Sequence, residues 1–307
     1  MSDYSPDATY TLDDLPNWNF PGTNLAVIGF PIRHSLSPQL HNAALLEMSK
    51  AEPKFAHWRY FRFEVPPEKL PSALPLFHEK AFFGLNLTVP HKTIAIDLIE
   101  DIDPAAAQIG AVNTLRRTEK GYTGFNTDGY GMEKGIAEDL GQDIACADIY
   151  LLGAGGAGRA AAFQCLQSRC SRLTVFNRNT DRLQSLVSDL KPHADDYGIP
   201  VHGRSTDEDF VLPNSTLVIN CASLGLKPDD PLILPESSFQ EAPKLYDMIY
   251  NPQRTRLMGV VSKYGGQVAN GLSMLVHQGA RALEIWSEND VPYHSMQNAA
   301  ITAAGVR

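Results

Sequence analysis

Three glycines lie where an apolar segment gives way to a helix-forming one. Residues 149–152 are typical of a buried strand and the alanine-rich run after Gly158 favours a helix, so a strand-to-helix turn is predicted between them. In such a turn Gly153 permits the tight bend, Gly155 lets a pyrophosphate approach the backbone, and Gly158 allows the helix to pack closely. The pattern predicts dinucleotide binding, although a glycine-rich turn can also be only a turn. The predicted cofactor contacts are Gly153, Ala154, Gly155, Gly156, Ala157 and Gly158.

The next strand of this unit ends at Phe176, and the residues that follow it would meet the ribose of the cofactor. Proteins that bind NAD usually carry Asp or Glu here, which accepts hydrogen bonds from the 2′-hydroxyl, but this chain has Asn177 and Arg178. A guanidinium binds a 2′-phosphate through two charge-assisted hydrogen bonds, whereas a carboxylate would repel it. Arg178, together with Arg182, therefore predicts NADP as the cofactor. The alternative is that both arginines are solvated residues at the start of a helix.

Ligand-binding residues of an α/β protein lie at the ends of its strands, so the order of strands and helices decides which residues can meet. In the first part of the chain, predicted strands and predicted helices alternate regularly. A β-α-β-α-β order favours parallel strands joined by crossover helices, and hence an α/β fold. Ser37 before Pro38 fits an N-cap followed by a proline in the first helical turn. The predicted elements are strands at residues 25–30, 58–63 and 82–87, helices from about Pro38 and over 66–79, a hairpin around 119–121 and a helix running to Leu140.

A second series of strands and helices begins near Ala147 and contains the glycine turn. The last forty residues are helical in pattern and could return to pack on the first domain. Residues 1–22 lack periodicity and contain three prolines, which predicts a loosely held N-terminal extension. Further strands are predicted at 173–176, near 200, at 217–220 and at 245–249, with a helix over 180–190.

Composition limits the classes of protein to which the chain can belong. With 307 residues, 43% of them hydrophobic, the chain can form two domains with two cores. It has no apolar run near the ~18 residues of a membrane span and an acidic N-terminus unlike a signal peptide, which predicts a cytoplasmic protein. A net charge of −9 argues against generic binding to nucleic acid or anionic membranes. The four cysteines lack CxxC spacing and histidines at zinc-site intervals, so reduced thiols and no metal site are predicted.

Seven motifs, with their order preserved along roughly residues 24–290, resemble those of the shikimate dehydrogenases, within the shikimate/quinate dehydrogenase family. They are residues 29–38, 86–92, 110–114 and 126–129, the glycine turn, and residues 247–252 and 271–280. The resemblance implies reversible, NADPH-dependent reduction of 3-dehydroshikimate to shikimate, a step of aromatic amino acid and chorismate biosynthesis. It also implies two α/β domains with a cleft between them. These are a discontinuous substrate-binding and catalytic domain with a mainly parallel sheet (23–127 and 271–307), after the extension 1–22, and a C-terminal Rossmann-type NADP domain (128–270).

Matching positions imply that Lys92 and Asp128 form the catalytic pair and that Ser35 and Ser37 bind the substrate carboxylate. Hydride addition to a ketone develops negative charge on oxygen, so a cation that is also a proton donor must lie within hydrogen-bond reach of it. Lys92 can be both, and Asp128 would keep its ammonium charged or share its proton. Taken singly, each of these residues could instead be a cap, turn or solvated residue. The implied substrate contacts are Ser35, Ser37, Thr88, Lys92, Asn113, Asp128, Tyr250 and Gln278, and Ser223 and Gly271 join Asn177, Arg178 and Arg182 among the cofactor contacts.

The chain departs from the family pattern in one segment. The family usually has Asn-Ala-Thr-Ser followed by Gly-Met, whereas this chain has residues 220–223 as Asn-Cys-Ala-Ser and 225–226 as Gly-Leu, which alters the expected nicotinamide contacts. Two alternatives remain open: a quinate/shikimate dehydrogenase using NAD or NADP, and a non-catalytic NADP- or metabolite-sensing protein on the same scaffold. The second would be marked by loss of Lys92 or Asp128, and both are present. The expected partners are a small-molecule substrate and, at most, a second copy in a homodimer, with no nucleic acid or membrane.

Overall fold

The computed structural model describes residues 4–227 and 229–305. The chain divides into two units. The N-terminal unit is Met1–Thr127 together with Leu275–Arg307, and the C-terminal unit is Asp128–Met274. Of the predicted domain ranges, residues 1–3 of the extension, 228 of the NADP domain and 306–307 of the substrate domain lie outside the described residues. Within the described residues, no helix is long and apolar enough to cross a membrane.

The elements alternate along the chain much as the sequence predicts. The strands are β1 Thr23–Gly29, β2 Trp58–Glu64, β3 Phe82–Leu87, β4 Asp101–Ile102, β5 Thr114–Arg117, β6 Tyr122–Phe125, β7 Asp148–Leu152, β8 Arg172–Phe176, β9 Val201–Arg204, β10 Leu217–Asn220, β11 Lys244–Asp247 and β12 Val268–Asn270. The helices are α1 Ser37–Ala51, α2 Leu70–Glu79, α3 His91–Ile94, α4 Pro104–Ile109, α5 Asp128–Leu140, α6 Gly156–Gln167, α7 Thr180–Tyr197, α8 Arg256–Lys263, α9 Leu272–Ser287 and α10 Tyr293–Ala303.

The N-terminal unit contains a six-stranded sheet in the order β2-β1-β3-β5-β6-β4. Strand β1 is parallel to both β2 and β3, so the predicted β-α-β-α-β series is confirmed. The predicted hairpin is the antiparallel pair β5–β6. Six of the seven residues of β1 are buried, as expected for a central strand covered on both faces.

The predicted N-cap at Ser37 is wrong. Ser37 is already the first residue of α1, and the capping position falls on Leu36, whose side chain makes no capping bond. The backbone N–H of Ser37 instead donates to the Ser35 hydroxyl at 3.3 Å. The loop before the helix therefore supplies the hydroxyl that a capping serine would have provided, which leaves the Ser37 side chain available for other contacts.

The expectation of a loosely held N-terminal extension is also wrong. Leu15 and Trp18 are buried in the core of the N-terminal unit with 0% and 6% of their surface exposed, and the Trp18 indole N–H donates to the Asn24 side chain at 2.9 Å. Tyr10 pairs with Phe63 beside β2, which extends the sheet past its edge strand. The segment is held because its aromatic residues fill the core, although the spacing of these apolar residues follows neither helix nor strand periodicity.

The C-terminal unit contains a second six-stranded sheet, in the order β12-β11-β10-β7-β8-β9, and every neighbouring pair in it is parallel. The central strands β7 and β10 are almost fully buried. Strand order reverses at β7, where the glycine turn leads into α6, and open parallel sheets bind their ligands at such a switch point. The sequence prediction of a Rossmann-type unit is confirmed by this topology.

Candidate active site

Two serine hydroxyls face each other where the loop after β1 meets the first residue of α1. The Ser35 hydroxyl donates to that of Ser37 at 3.2 Å, and the Ser35 backbone N–H donates to the Ile32 carbonyl at 2.9 Å. Ser35 is half-buried, whereas Ser37 has 6% of its surface exposed. Paired hydroxyls on a short, internally bonded loop can donate to the two oxygens of one carboxylate.

Two stacked and buried rings, those of His41 and Tyr60, lie beside Ser37. His41 has no exposed surface, and its Nδ1 lies 2.8 Å from the Ser37 carbonyl oxygen. The imidazole stacks on Tyr60 with ring centroids 3.9 Å apart. Burial lowers the pKa of His41 to about 4, so the ring is neutral near pH 7 and Nδ1 carries the hydrogen that the carbonyl accepts. Ser37 is therefore held by the same turn of α1 that carries His41.

A buried cluster of amides and hydroxyls lies at the start of β5. The Asn113 amide N–H₂ donates to the Thr127 hydroxyl at 2.9 Å and to the Gln278 amide oxygen at 3.4 Å, while its own oxygen accepts from the Thr127 backbone N–H at 2.8 Å. Asn86 on β3 donates to the Asn113 carbonyl at 3.1 Å and accepts from the Tyr60 hydroxyl at 2.7 Å. Within the N-terminal unit the structure thus brings the predicted residues Asn113 and Gln278 into contact.

Thr88 and Lys92 follow β3, where the chain turns into α3. The Thr88 backbone N–H donates to the Ile28 carbonyl at 3.0 Å, and the Lys92 carbonyl accepts from the Val112 N–H at 2.9 Å. Both side chains are half-buried. These backbone bonds fix α3 beside the loop that leads to Asn113, so the N-terminal unit places a cation, hydroxyls and amides at the ends of neighbouring strands.

The glycine turn fits a dinucleotide, and the structure gives a separate account of each of its three predicted glycines. Gly153 has φ +110°, which side chains rarely adopt, and a Cβ added at Gly158 would lie 2.1 Å from the Gly153 carbonyl oxygen. A Cβ added at Gly155 would meet no atom within 4 Å, so this position is open to solvent or ligand rather than filled by the fold. Gly155 precedes α6 without any side-chain cap, which leaves the N–H groups of the first turn free of a side-chain acceptor.

The residues after β8 are arranged around this turn. The Asn177 amide oxygen accepts from the Ala154 backbone N–H at 3.2 Å, so Asn177 holds the glycine turn in place. Arg178 and Arg182 are exposed at the start of α7, whose first turn is capped by the Asn179 side chain. Because neither exposed guanidinium fills the core, both can reach a phosphate without disturbing the fold.

The loop after β10 contains the departures from the family pattern. Asn220 accepts from the Ala222 backbone N–H at 3.2 Å through its side-chain oxygen, and Ser223 is exposed. Leu226 has 52% of its surface exposed, which is high for a leucine in a folded loop. Gly225 has φ +110°, so the turn requires a glycine there.

The remaining predicted residues belong to the C-terminal unit. Asp128 is the first residue of α5 and has 5% of its surface exposed. Burial raises the pKa of the half-buried Tyr250, which keeps its phenol protonated and able to donate. A Cβ added at Gly271 would lie 2.1 Å from the Met248 carbonyl oxygen, so close packing explains this glycine by itself.

Asp247, at the end of β11, holds the segment that carries Tyr250. Its carboxylate accepts from the Thr255 hydroxyl at 2.6 Å, from the Asn220 amide at 2.9 Å and from the Ile249 backbone N–H at 3.1 Å. Burial raises the pKa of this carboxyl, while the three donors oppose the rise. The ends of β10 and β11 are therefore fixed by one buried side chain.

The site contains supporting residues that the sequence prediction did not include. Asn86 and Thr127 lie inside two of the matched motifs, and a polar residue in an otherwise buried strand was the available signal for Asn86. Tyr60 and His41 occur in apolar patterns, where an aromatic ring is expected to be core. Their hydrogen bonds to Asn86 and to the Ser37 carbonyl depend on contacts distant in sequence or on burial, which no local pattern encodes.

Comparison with known proteins finds matches in both units of the chain. Family models match residues 27–115 (shikimate dehydrogenase substrate binding domain), 135–198 (shikimate / quinate 5-dehydrogenase) and 271–301 (shikimate 5′-dehydrogenase C-terminal domain). A shikimate dehydrogenase (NADP(+)) of Methanopyrus kandleri is 34% identical over 282 residues, which cover 90% of this chain and 94% of the relative.

Two solved structures show the range of activities among similar folds. The shikimate 5-dehydrogenase of Thermus thermophilus, in complex with NADP(H) and shikimate, matches with a TM-score of 0.75 and 31% identity over 92% of this chain and 99% of its own. The 5-ketofructose reductase of Gluconobacter sp. strain CHM43 matches with a TM-score of 0.79 and 25% identity over 92% and 99% of the two chains.

Proposed function

The chain belongs to the shikimate dehydrogenase family, and from this we propose that it is an NADP-dependent oxidoreductase that interconverts 3-dehydroshikimate and shikimate. The observation that carries the proposal is the set of polar side chains in the N-terminal unit, where the paired hydroxyls of Ser35 and Ser37 accompany the bonded amides of Asn113 and Gln278. A ring with one carboxylate and several hydroxyls needs such short donors and acceptors at fixed positions. A site of this kind rejects analogues that leave its polar groups unpaired.

Each polar residue has a task in binding the substrate. Ser35 and Ser37 donate to the carboxylate, and the remaining polar side chains orient the ring and its hydroxyls. The bonds among Asn86, Asn113 and Thr127 limit the rotamers of these groups, which reduces the entropy lost when substrate binds. The residues assigned to the ring and its hydroxyls are Thr88, Asn113, Tyr250 and Gln278.

Lys92 and Asp128 are assigned to the chemical step. In reduction, the Lys92 Nζ donates a proton to the ketone oxygen as negative charge develops there, and in oxidation it accepts the hydroxyl proton. Asp128 is assigned as the second member of this catalytic pair.

The glycine turn and the residues after β8 are assigned to the cofactor. Gly153 to Gly158 would accommodate the pyrophosphate, and Arg178 with Arg182 would bind the 2′-phosphate that distinguishes NADP from NAD. Asn177 keeps the turn in place, and Ser223 and Gly271 are assigned to the nicotinamide end. When bound, the nicotinamide supplies or accepts the hydride, while the protein provides orientation and charge.

The proposal is tested by following reduced nicotinamide at about 340 nm with each combination of two acids and two cofactors. Shikimate with NADP⁺ should give a kcat/KM at least about tenfold above that of quinate or of NAD⁺. Comparable rates with quinate and NAD⁺ would indicate the broader quinate/shikimate activity instead. NADP⁺ binding without turnover of either acid would indicate a sensing protein. In the reductive direction, a higher rate with NADPH and 5-ketofructose than with NADPH and 3-dehydroshikimate would contradict the substrate assignment.

A further inference from the structure

Arg62, in the middle of β2, is a buried cation whose hydrogen-bond acceptors are all uncharged. Arg62 has 7% of its surface exposed. Burial lowers the pKa of its guanidinium from the usual value, the nearby Asp7 carboxylate opposes that change, and the group remains charged. The guanidinium donates to the Ser35 carbonyl at 2.9 Å, the Asp7 carbonyl at 2.6 Å and the Thr9 hydroxyl at 2.9 Å. Among residues 4–227 and 229–305, no carboxylate forms a direct ion pair with it, although the Asp7 carboxylate is close enough to stabilise its charge.

These three acceptors join two segments that are distant in sequence. Ser35 belongs to the loop before α1, whereas Asp7 and Thr9 belong to the N-terminal segment, defined here as residues 4–20. The Asp7 carboxylate also accepts from the Gln39 amide at 3.0 Å, in the first turn of α1. The same strand holds the start of the loop, because the Glu64 carboxylate accepts from the Ile32 N–H at 3.3 Å.

The N-terminal segment is fixed firmly enough to serve as an anchor. The Tyr10 N–H donates to the Arg62 carbonyl at 2.9 Å, and its carbonyl accepts from the Glu64 N–H at 2.8 Å, so the segment pairs with β2 on both sides of Phe63. Leu15 and Trp18 are buried in the core below. The guanidinium thus connects an anchored segment to the loop that carries Ser35 and leads directly into Ser37.

We infer that Arg62 is a positioning residue for substrate and that Asp7 and Thr9 of the N-terminal segment are part of the substrate site. Through Arg62 the segment holds the Ser35 carbonyl, which sets the direction of the Ser35 and Ser37 hydroxyls. The guanidinium charge, partly offset by the Asp7 carboxylate, also favours a carboxylate bound at this loop, since serine hydroxyls alone provide no net charge. This inference rests on the proposed function, because it concerns the assigned carboxylate site.

Arg62→Ala tests the inference through its selectivity for the carboxylate. The variant should raise KM for shikimate about tenfold or more, with kcat and KM for NADP⁺ each changed less than about threefold. It should lower kcat/KM for shikimate methyl ester, which keeps the hydroxyl contacts but lacks the negative charge, at least about threefold less than it lowers kcat/KM for shikimate. A merely structural role would lower kcat through loss of active enzyme and affect acid and ester equally, and that result would overturn the inference.

Milder variants keep the test valid if Arg62→Ala does not fold. Thr9→Val removes one acceptor of the guanidinium and should raise KM for shikimate by about two- to fivefold, with kcat and KM for NADP⁺ unchanged. Thr11→Val is the matched control, because the Thr11 hydroxyl contacts the exposed Asp14 carboxylate at 3.1 Å, and it should leave KM unchanged. Equal KM values for wild type and Thr9→Val would contradict the inference.

Hydrogen exchange separates this inference from the proposed function. The Ser35 and Ser37 amides should exchange at least about tenfold faster in Arg62→Ala than in wild type, whatever the protein's substrate is. If the wild type does not turn over shikimate but exchange accelerates, the proposed function fails while the anchoring of the loop is supported. Unchanged exchange at these amides would refute the anchoring itself.

Discussion

Protonation of His41 should destabilise the N-terminal unit at mildly acidic pH, and His41→Asn should remove that effect. The ring is fully buried against Tyr60, and burial lowers its pKa from 6.5 to about 4. Between these values the unfolded chain binds a proton that the folded protein does not, so the free energy of unfolding falls as pH falls. At about 1.4 kcal/mol per pKa unit, the loss between pH 6.5 and 4 is about 3 kcal/mol.

Urea titrations followed by tryptophan fluorescence measure this loss of stability in the N-terminal unit. All three tryptophans, Trp18, Trp58 and Trp286, belong to the N-terminal unit that contains His41. His41→Asn can still donate to the Ser37 carbonyl but loses the stacking on Tyr60, so it should be less stable than wild type at pH 7. Its free energy of unfolding should fall about 3 kcal/mol less than that of wild type between pH 6.5 and 4, because asparagine does not ionise. His57→Asn, at an exposed histidine, should follow wild type.

Ionisable groups common to the proteins cancel in the comparison. The buried His91, whose pKa burial also lowers, destabilises all three proteins in the same direction on acidification. Parallel pH dependences for wild type and His41→Asn would refute the reasoning, because a buried neutral imidazole must give the steeper curve.

Three further substitutions test separate parts of the molecule. Arg178→Ala should weaken NADP⁺ binding by about 1.5–3 kcal/mol and leave NAD⁺ binding nearly unchanged; equal losses, measured by calorimetry, would show that this residue does not contact the 2′-phosphate. Lys92→Ala should lower kcat by about 10²–10⁴ with a modest change in KM, and unchanged turnover would exclude its catalytic role. Trp18→Ala should lower the free energy of unfolding by about 3–5 kcal/mol in urea titrations, whereas a loss below about 0.5 kcal/mol would contradict the structural role of the N-terminal segment.

Features encoded by local patterns were predictable from the sequence. The strands that form the two sheets are apolar runs ended by turn residues, and their type follows from short-range periodicity. The glycine turn was equally accessible, because φ +110° at Gly153 and the close approach at Gly158 are backbone requirements that few residues other than glycine satisfy. Local reasoning therefore gave the fold class and the half of the candidate site assigned to the cofactor.

Features that depend on distant partners were not predictable in this way. Arg62 lies in the run Trp-Arg-Tyr-Phe-Arg-Phe, where an alternating arginine suggests a solvated face, but its acceptors are 27 to 55 residues away in sequence. The N-terminal segment lacks periodicity because its aromatic residues enter the core individually through turns. Long-range pairing and the three-dimensional fit of single rings determine these contacts, and a window of neighbouring residues carries little information about either.

Conversion of 3-dehydroshikimate by the purified protein tests the central proposal most directly. The reaction is run with NADPH, and the product is identified by proton NMR while NADPH loss is followed by absorbance. The proposed function predicts one shikimate formed for each NADPH consumed. NADPH consumption without formation of shikimate would contradict it. So would a 3-dehydroshikimate concentration that stays constant when protein is present in amounts stoichiometric with the substrate.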